Sequence, residues 1–361
     1  GKRIDLGYEK PGGTLSEIRH GITFPINVYP LFENAIRGYK NHSIDKHLKY
    51  LGNMFEPFTK VASENKNAWF PTYRSAEEIS TPNKKNRFIG FPYTKYMNAI
   101  MEVDQSASLI IMSEKKANEY SVPKSKRIYL HGCADINEVW NITERPELFR
   151  SSAIRLMGEK AFSMANWNID EIDYFDLYSC FPSMVELGRE ALDISDNISS
   201  PLTVTGGLPF FGGPGNNYVT HSIATMMEKL RKNQNSKGLC TSNGWYATKH
   251  GIGLYSNIPF EGKWEREDPN NYQKIIDNSS KPEVDECPKG NAKIETYTVA
   301  NGRVGPQMAI IIGRLNSNNK RFIATSNNEK ILDIMMSDEC LGRDCEVKTN
   351  SEGFNTFSIK I

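Results

Sequence analysis

The chain has no surplus of either charge: 44 Lys and Arg stand against 43 Asp and Glu, a formal net charge of +1, and the two signs are interleaved. That excludes the basic face of a nucleic-acid or membrane-surface binder, so any anionic partner is held locally. There is no run of about 18 apolar residues, hence no candidate membrane span. The first residues, GKRIDLGYEKPGG, lack the apolar core of a signal peptide. A cytoplasmic location is the default expectation. Cysteine is sparse and scattered, with six residues at 133, 180, 240, 287, 340 and 345 and neither a C-x-x-C nor a Cys/His cluster at zinc spacing. Reduced thiols are therefore expected, no metal site is anticipated, and a chemical role for any one thiol must come from its surroundings. There is no fixed-period repeat and no low-complexity tract.

What is present suits two or three domains, as expected for 361 residues. Between Phe32 and Asn65, Leu48, Leu51, Phe55 and Phe58 recur at helical spacing and predict an amphipathic helical segment. The apolar run Leu109 to Met112 reads as a buried strand that closes a first domain, residues 1–119. From RIYLHGCAD onward the pattern is strand, helix over 147–166, then the strand IDYFDLYS, which forms a βαβ unit and implies parallel strands. The next helix carries Phe181, Met184, Val185, Gly188, Ala191 and Leu192 on one face, with Pro182 in its first turn. A Gly-rich loop, its helix and the strand SKGLCTS complete an α/β domain over 120–262. The polar stretch EGKWEREDPNNYQKIIDNSSKPEVDECPKGN reads as a linker. Residues 263–361 then form a small β-rich, barrel-like domain with one helical stretch, NEKILDIMM.

Three stretches invite a chemical reading. GGLPFFGGPG, Gly206 to Gly215, packs five glycines and two prolines into ten residues. It fails as a dinucleotide fingerprint because position 218 is Tyr, and as a P-loop because position 213 is Gly rather than Lys. Either it is a tight strand-to-helix connection, or its backbone N–H groups and those of a helix starting near Asn216 receive an anion or oxyanion. His221 lies off that helix's apolar stripe, on the face of Asn217, Thr225 and Glu228, where a histidine is ordinarily solvated. Its place in the first two turns after the loop keeps it as a candidate acid or base. Tyr178, Ser179 and Cys180 end one strand and Cys240 another, and ligands of open α/β sheets bind beyond strand ends. Each cysteine is either a small buried hydrophobe or a reactive thiol. Two strand-end thiols and a Gly-rich loop suggest one shared pocket.

FDLYSCFPSMVELGREAL, TVTGGLPFFGGPGNNYVTHSIATMMEKLR and GLCTSNGWYATKHG, in this order, resemble the C-terminal half of thiolases. The likeness is closest to sterol-carrier-type thiolases and the thiolase-like proteins of type 1, often called acetyl-CoA acetyltransferases. HGITFPINVYPLFENAIRGY and FPYTKYMNAIMEVDQSASLIIMSE are similar to that group's loop region and the end of its N-terminal domain. The β-rich tail is similar to the additional C-terminal domain of the type 1 proteins. The resemblance implies a layered α-β-α thiolase fold with a mixed sheet and an incomplete N-terminal half. A homodimer or partner chain would then cover the incomplete sheet.

The resemblance also implies an acyl-CoA acyltransferase with coenzyme A or acyl-CoA as substrate or ligand and no covalently bound cofactor. Cys240 falls on the family's acid/base cysteine. Tyr178, Ser179, Cys180 and Phe181 fall on its Asn-Glu-Ala-Phe segment, and Gly212, Gly213 and Pro214 on its Gly-His-Pro loop. Gly212 to Gly215 and Asn216 would supply backbone donors to a thioester oxygen, with His221 in place of the lost histidine and Cys180 as a second thiol. Gly213 stands where an oxyanion-stabilising histidine is expected, Tyr178 where a water-holding Asn or His is expected, and Ser242 in place of a glycine. Removing one such oxyanion donor costs roughly 10²–10³ in rate, so ordinary thiolysis or condensation would be slow. No cysteine precedes Cys133, so the family's nucleophile has no counterpart in this sequence. The alternative expectation is a non-catalytic acyl-CoA or lipid-binding protein, or a structural subunit that completes a partner enzyme.

Overall fold

The computed structural model describes residues 10–196 and 198–359. The chain opens with α1 (Leu15–Arg19), capped reciprocally by Thr14 and Glu17, followed by α2 (Pro25–Tyr39) and α3 (Ile44–Glu64). The helical segment foreseen from Phe32 is therefore two helices. Asn41 takes a left-handed conformation at φ 51°, and the Ser43 hydroxyl accepts from Lys46 N to start the second. α2 starts with Pro25, where the missing N–H is harmless, and is buried almost all round. A helix apolar on every side must be sandwiched, and this one is: its carbonyls accept from Ser183 Oγ at Tyr29 and from Thr296 Oγ1 at Leu31.

The short α4 (Ala76–Ser80) precedes a hairpin, β1 (Phe88–Gly90) and β2 (Tyr93–Thr94), and α5 (Glu114–Glu119) follows. The strand expected at Leu109 to Met112 is absent. That run has no regular structure, and Ile110 and Ile111 are 83% and 89% exposed. β-forming residues make a strand only when a neighbour pairs with them, and among the described residues none does.

The α/β part contains β3 (Tyr129–Asn137), α6 (Ser152–Ala165), β4 (Tyr174–Asp176), α7 (Pro182–Ala191), α8 (Tyr218–Lys232), β5 (Lys237–Gly244) and β6 (Lys249–Ser256). The sheet order is β3-β6-β5-β4. Only β4 and β5 are adjacent and parallel, and the other pairs are antiparallel. The expected βαβ strands β3 and β4 thus run in the same direction at opposite edges of a mixed sheet. α6 lies so close to β3 that a Cβ on Gly132 would collide with the Ala161 carbonyl.

The stretch read as a linker holds a helix, α9 (Pro269–Asp277), with Asp268 capping Asn270 N and Pro269 at the first position. Tyr272 and Ile276 are its buried residues, and the Tyr272 hydroxyl donates to the Asp135 carbonyl of β3. Two apolar anchors at i and i+4 suffice to dock a helix whose remainder is polar.

β7 (Gly290–Asn301), β8 (Pro306–Leu315), β9 (Arg321–Ser326), α10 (Glu329–Ser337), β10 (Asp344–Thr349) and β11 (Asn355–Ile359) follow. The pairings β7-β8-β9-β11-β10 return to β7 and close a five-stranded barrel. The run QMAIIIGRL is apolar at successive positions because β8 is buried on both faces. Ala309 and Ile311 point into the barrel core, Ile310 and Ile312 into the main core with α2. No helix among the described residues is long and apolar enough to cross a membrane.

Arg321 pins the barrel to the α/β part. Fully buried, its guanidinium donates to Glu295 Oε1 at 2.6 Å and Oε2 at 2.9 Å, and to the carbonyls of Thr143 at 3.0 Å and Arg145 at 2.5 Å. Truncation leaves these acceptors without donors. Arg321→Ala is expected to cost about 3–5 kcal/mol in chemical denaturation, and a loss below about 1 kcal/mol would refute this pinning role.

Candidate functional site

The site is built around a carboxylate. Asp176 ends β4, is completely buried, and accepts six hydrogen bonds. Its Oδ2 receives Thr203 Oγ1 at 3.0 Å, Val204 N at 2.9 Å, and Thr205 N and Oγ1 at 3.2 Å. Its Oδ1 receives the Tyr218 hydroxyl at 3.0 Å and Ser222 Oγ at 2.6 Å. Burial raises its pKa and these donors oppose the rise. Asp176 thereby joins a strand end, the Thr203–Thr205 turn and the first turns of α8. Sequence reading passed over it, although an Asp inside an apolar strand is a signal that it has donors to meet.

The Gly-rich loop departs from that anchor. Gly206 has φ 112° and a Cβ there would strike the backbone of Ala62 in α3, so only glycine fits. Ser179, fully buried, accepts from Leu208 N at 3.2 Å and is thus a support of the loop. Gly212 has φ 117° and abuts the Gln105 side chain. The decisive detail is at Gly213, whose N–H donates to the Ile100 carbonyl at 2.8 Å. The Gly215 N–H in turn donates to the Gly213 carbonyl at 2.7 Å. Two of the foreseen backbone donors are already engaged within the loop. Pro214 has no N–H, and Asn216 is exposed in a short 3₁₀ turn over Gly215–Asn217, so α8 starts two residues later than foreseen.

The two thiols do not share a pocket. β5 runs through Cys240 to Gly244, so the turn placed after Cys240 is strand. Side chains alternate along a strand. Thr241 and Asn243 face one side, where Thr241 Oγ1 accepts from Tyr178 N at 2.8 Å and Asn243 Nδ2 lies 3.9 Å from Cys180 Sγ. Cys240 and Ser242 face the other side, in a cleft of about 220 Å³ with Cys133, Asp135, Tyr255 and Arg266. Arg266 pairs with Asp135 at its edge. Tyr178, Cys180, Asn243 and Tyr29 therefore form one cluster, in which Asn243 Nδ2 donates to the Tyr29 hydroxyl at 2.8 Å. Burial pushes the Cys180 thiol up to about 12 and raises Cys240 far above its ordinary value, Asp176 adding to the latter. Neither is a thiolate near neutral pH. Burial, then Cys180, raises the Tyr178 hydroxyl too.

His221 is buried, not solvated: the loop folds back and lays Phe211 edge-on against its ring at 5.3 Å. A helical wheel accounts for the helix's own stripe and not for a loop that covers its polar face. The Nε2 atom of His221 has no hydrogen-bond partner among the described residues, and burial lowers its pKa, which favours the neutral ring.

A monomeric SCP2-thiolase-like protein type 1 from Mycobacterium smegmatis shares 33% identity over 97% of this chain and 76% of its own, with a TM-score of 0.90. The chain belongs to the SCP2-thiolase-like proteins of type 1. The family profile for the additional C-terminal domain of thiolase-like protein type 1 matches residues 271–352, which hold most of the barrel of this type 1 protein. The Ltp2–ChsH2(DUF35) aldolase shares the fold at 16% identity and a TM-score of 0.55, over 66% of this chain and 65% of its own. The dimeric peroxisomal thiolase of Saccharomyces cerevisiae gives 12% identity and a TM-score of 0.45 over 63% and 58%. No curated protein matches the chain significantly. The mixed α/β thiolase fold with a closed barrel is as the sequence resemblance implies.

Two outcomes follow for this type 1 protein. Asp176→Ala strands six donors and is expected to cost about 4 kcal/mol, whereas Asp176→Asn, whose NH₂ can donate to the oxygens of Tyr218 and Ser222, should cost markedly less. Equal losses in denaturant titrations would contradict the hub. Iodoacetamide at neutral pH should label the exposed Cys287 first, with Cys180 and Cys240 protected in the folded protein. Peptide mass mapping that finds either buried thiol labelled as fast as Cys287 would show that it is activated after all.

Proposed function

We propose that this chain is a non-catalytic acyl-CoA-binding member of the type 1 thiolase-like proteins, holding a thioester ligand without transferring its acyl group. The observation that carries this reading is the state of the groups on which transfer would depend. The Gly213 N–H is spent on Ile100, and Cys180 and Cys240 are buried as neutral thiols on opposite faces of β5. An acyl transferase needs a nucleophile that ionises near neutral pH and an oxyanion pocket with free donors. The cleft beside Cys240 and Ser242, with the Arg266 side chain at its rim, is the place where part of such a ligand would lie.

Acyl transfer remains the second reading because of His221. A buried imidazole nitrogen with no partner, beside the loop, is what a displaced acid or base would leave in the absence of substrate. The solved complex of the aldolase Ltp2 with ChsH2(DUF35) supports a further form of the first reading, in which a thiolase-fold chain works alongside a partner.

Calorimetry with coenzyme A and acetyl-CoA, together with intact mass and free-thiol measurement after incubation, separates these readings. Binding heat with no adduct and no coenzyme A release is the expected result. Release that disappears in His221→Ala would establish the transferase, and absence of binding would overturn both in favour of a structural subunit.

A further inference from the structure

Away from the loop, three helices bury a group of side chains that the acyl-CoA reading does not use. Glu33 of α2 and His47 of α3 are fully buried and Glu186 of α7 is 4% exposed. One ligand atom from each lies within 4.8 Å of the others. His47 Nε2 is 2.6 Å from Glu33 Oε1, and the Tyr93 hydroxyl donates to Glu33 Oε2 at 2.7 Å. His47 Nδ1 faces His42 Nδ1 at 3.3 Å, so a proton on His47 Nδ1 can be shared with His42 and leave the Nε2 lone pair turned to the carboxylates.

Glu186 is the informative member. Neither of its oxygens has a hydrogen-bond partner in the structure. The one ammonium near it, Lys40 Nζ, is 3.5 Å from Oε2 and 28% exposed, and the closest guanidinium on α2, Arg37, is taken up by Glu339. A buried carboxylate whose nearby cation is a partly exposed ammonium at 3.5 Å, next to a second carboxylate and an imidazole nitrogen, is costly unless a cation compensates it more closely.

We propose that Glu33, His47 and Glu186 bind a divalent transition-metal ion of the zinc type, which ties α2, α3 and α7 together. Two carboxylate oxygens and one imidazole nitrogen form a donor set that Zn²⁺ accepts at about 2.0–2.2 Å, with ligand atoms near 3.4 Å apart in a tetrahedron. Carboxylate rotation brings the present separations to that value, opening the 2.6 Å contact of His47 with Glu33 and closing the wider ones, which reach at most 4.8 Å. Tyr93 orients Glu33 and His42 orients His47, the kind of outer contact that fixes metal ligands. An open cleft of about 330 Å³, lined by Lys40, Tyr50, Glu186, Glu190 and Asp193, gives the ion a way in and leaves room for water as the fourth ligand. No spacing rule finds this set, because two members sit on the consecutive helices α2 and α3 and the third on α7, far along the chain. It is independent of the acyl-CoA reading and acts through fold stability.

The test uses the full chain, stripped with a chelator and titrated with ZnCl₂ alone. Expected are about one equivalent of zinc retained after desalting by elemental mass spectrometry, and a melting temperature that rises with zinc. Glu186→Gln keeps the shape and removes a buried charge, so it should fold, confirmed by circular dichroism, and bind at least about 100-fold more weakly without the thermal gain. Cys287→Ser, which removes an exposed thiol capable of adventitious zinc binding, should bind as the parent does. Failure of the parent chain to retain zinc, or Glu186→Gln binding as tightly, would overturn the assignment. Loss on Cys287→Ser would do the same.

Discussion

A single unhydrated carboxylate sets the geometry of the α/β part. Placing Asp176 in the core would cost several kcal/mol if its oxygens were idle, and six donors remove that cost only when all are in place at once. Those donors belong to two pieces of chain, the Thr203–Thr205 turn and the first turns of α8, so satisfying the charge fixes where α8 begins relative to β4. The Gly-rich loop spans the gap between those fixed points. Its glycines at 206 and 212 are then consequences of close packing on α3 and Gln105.

The same logic extends outward through α2. Because the middle of this helix is buried almost all round, it leaves little face for water there, and both the barrel and α7 pack against it. Arg321 supplies the polar counterpart, neutralising Glu295 while it satisfies carbonyls of the segment after β3. The barrel is thus joined to the thiolase-like part by an apolar strand face and a buried guanidinium together, a combination that leaves little freedom for one to move against the other.

How much of this could be read in the sequence depended on what kind of signal each residue gives. The helix start marked by Pro182 and the β-rich composition of the tail are local signals, and helix and strands appear where expected. Family likeness carried the fold as a whole. The failures were non-local. Leu109 to Met112 has strand composition without a strand beside it. His221 sits on a polar helical face that the preceding loop folds back to cover, which a helical wheel does not register. Cys240 and Cys180 were both expected at strand ends, yet Cys240 lies within β5, and period-two alternation along that strand puts the two thiols on opposite sides of the sheet. Asp176 and Asn243 lay within quoted motifs and were passed over, because their partners are assigned only once the chain has folded.

The Gly-rich loop of the candidate site is largely satisfied from within. In the loop, two of the backbone donors that an oxyanion pocket would use have internal partners, Gly213 N–H on Ile100 and Gly215 N–H on the Gly213 carbonyl, and Ser179 Oγ accepts from Leu208 N. Internal satisfaction stabilises the loop without ligand, and the same bonds must break before the loop can receive one. A loop arranged this way loses more by admitting an oxyanion than a preorganised one, whose donors wait unpaired. Buried side-chain atoms without a partner remain nearby, His221 Nε2 beside Phe211 of the loop, Gln105 Oε1 against Gly212 and Asn243 Oδ1 in the Cys180 cluster. A ligand at this site would meet those side chains as well as the loop backbone.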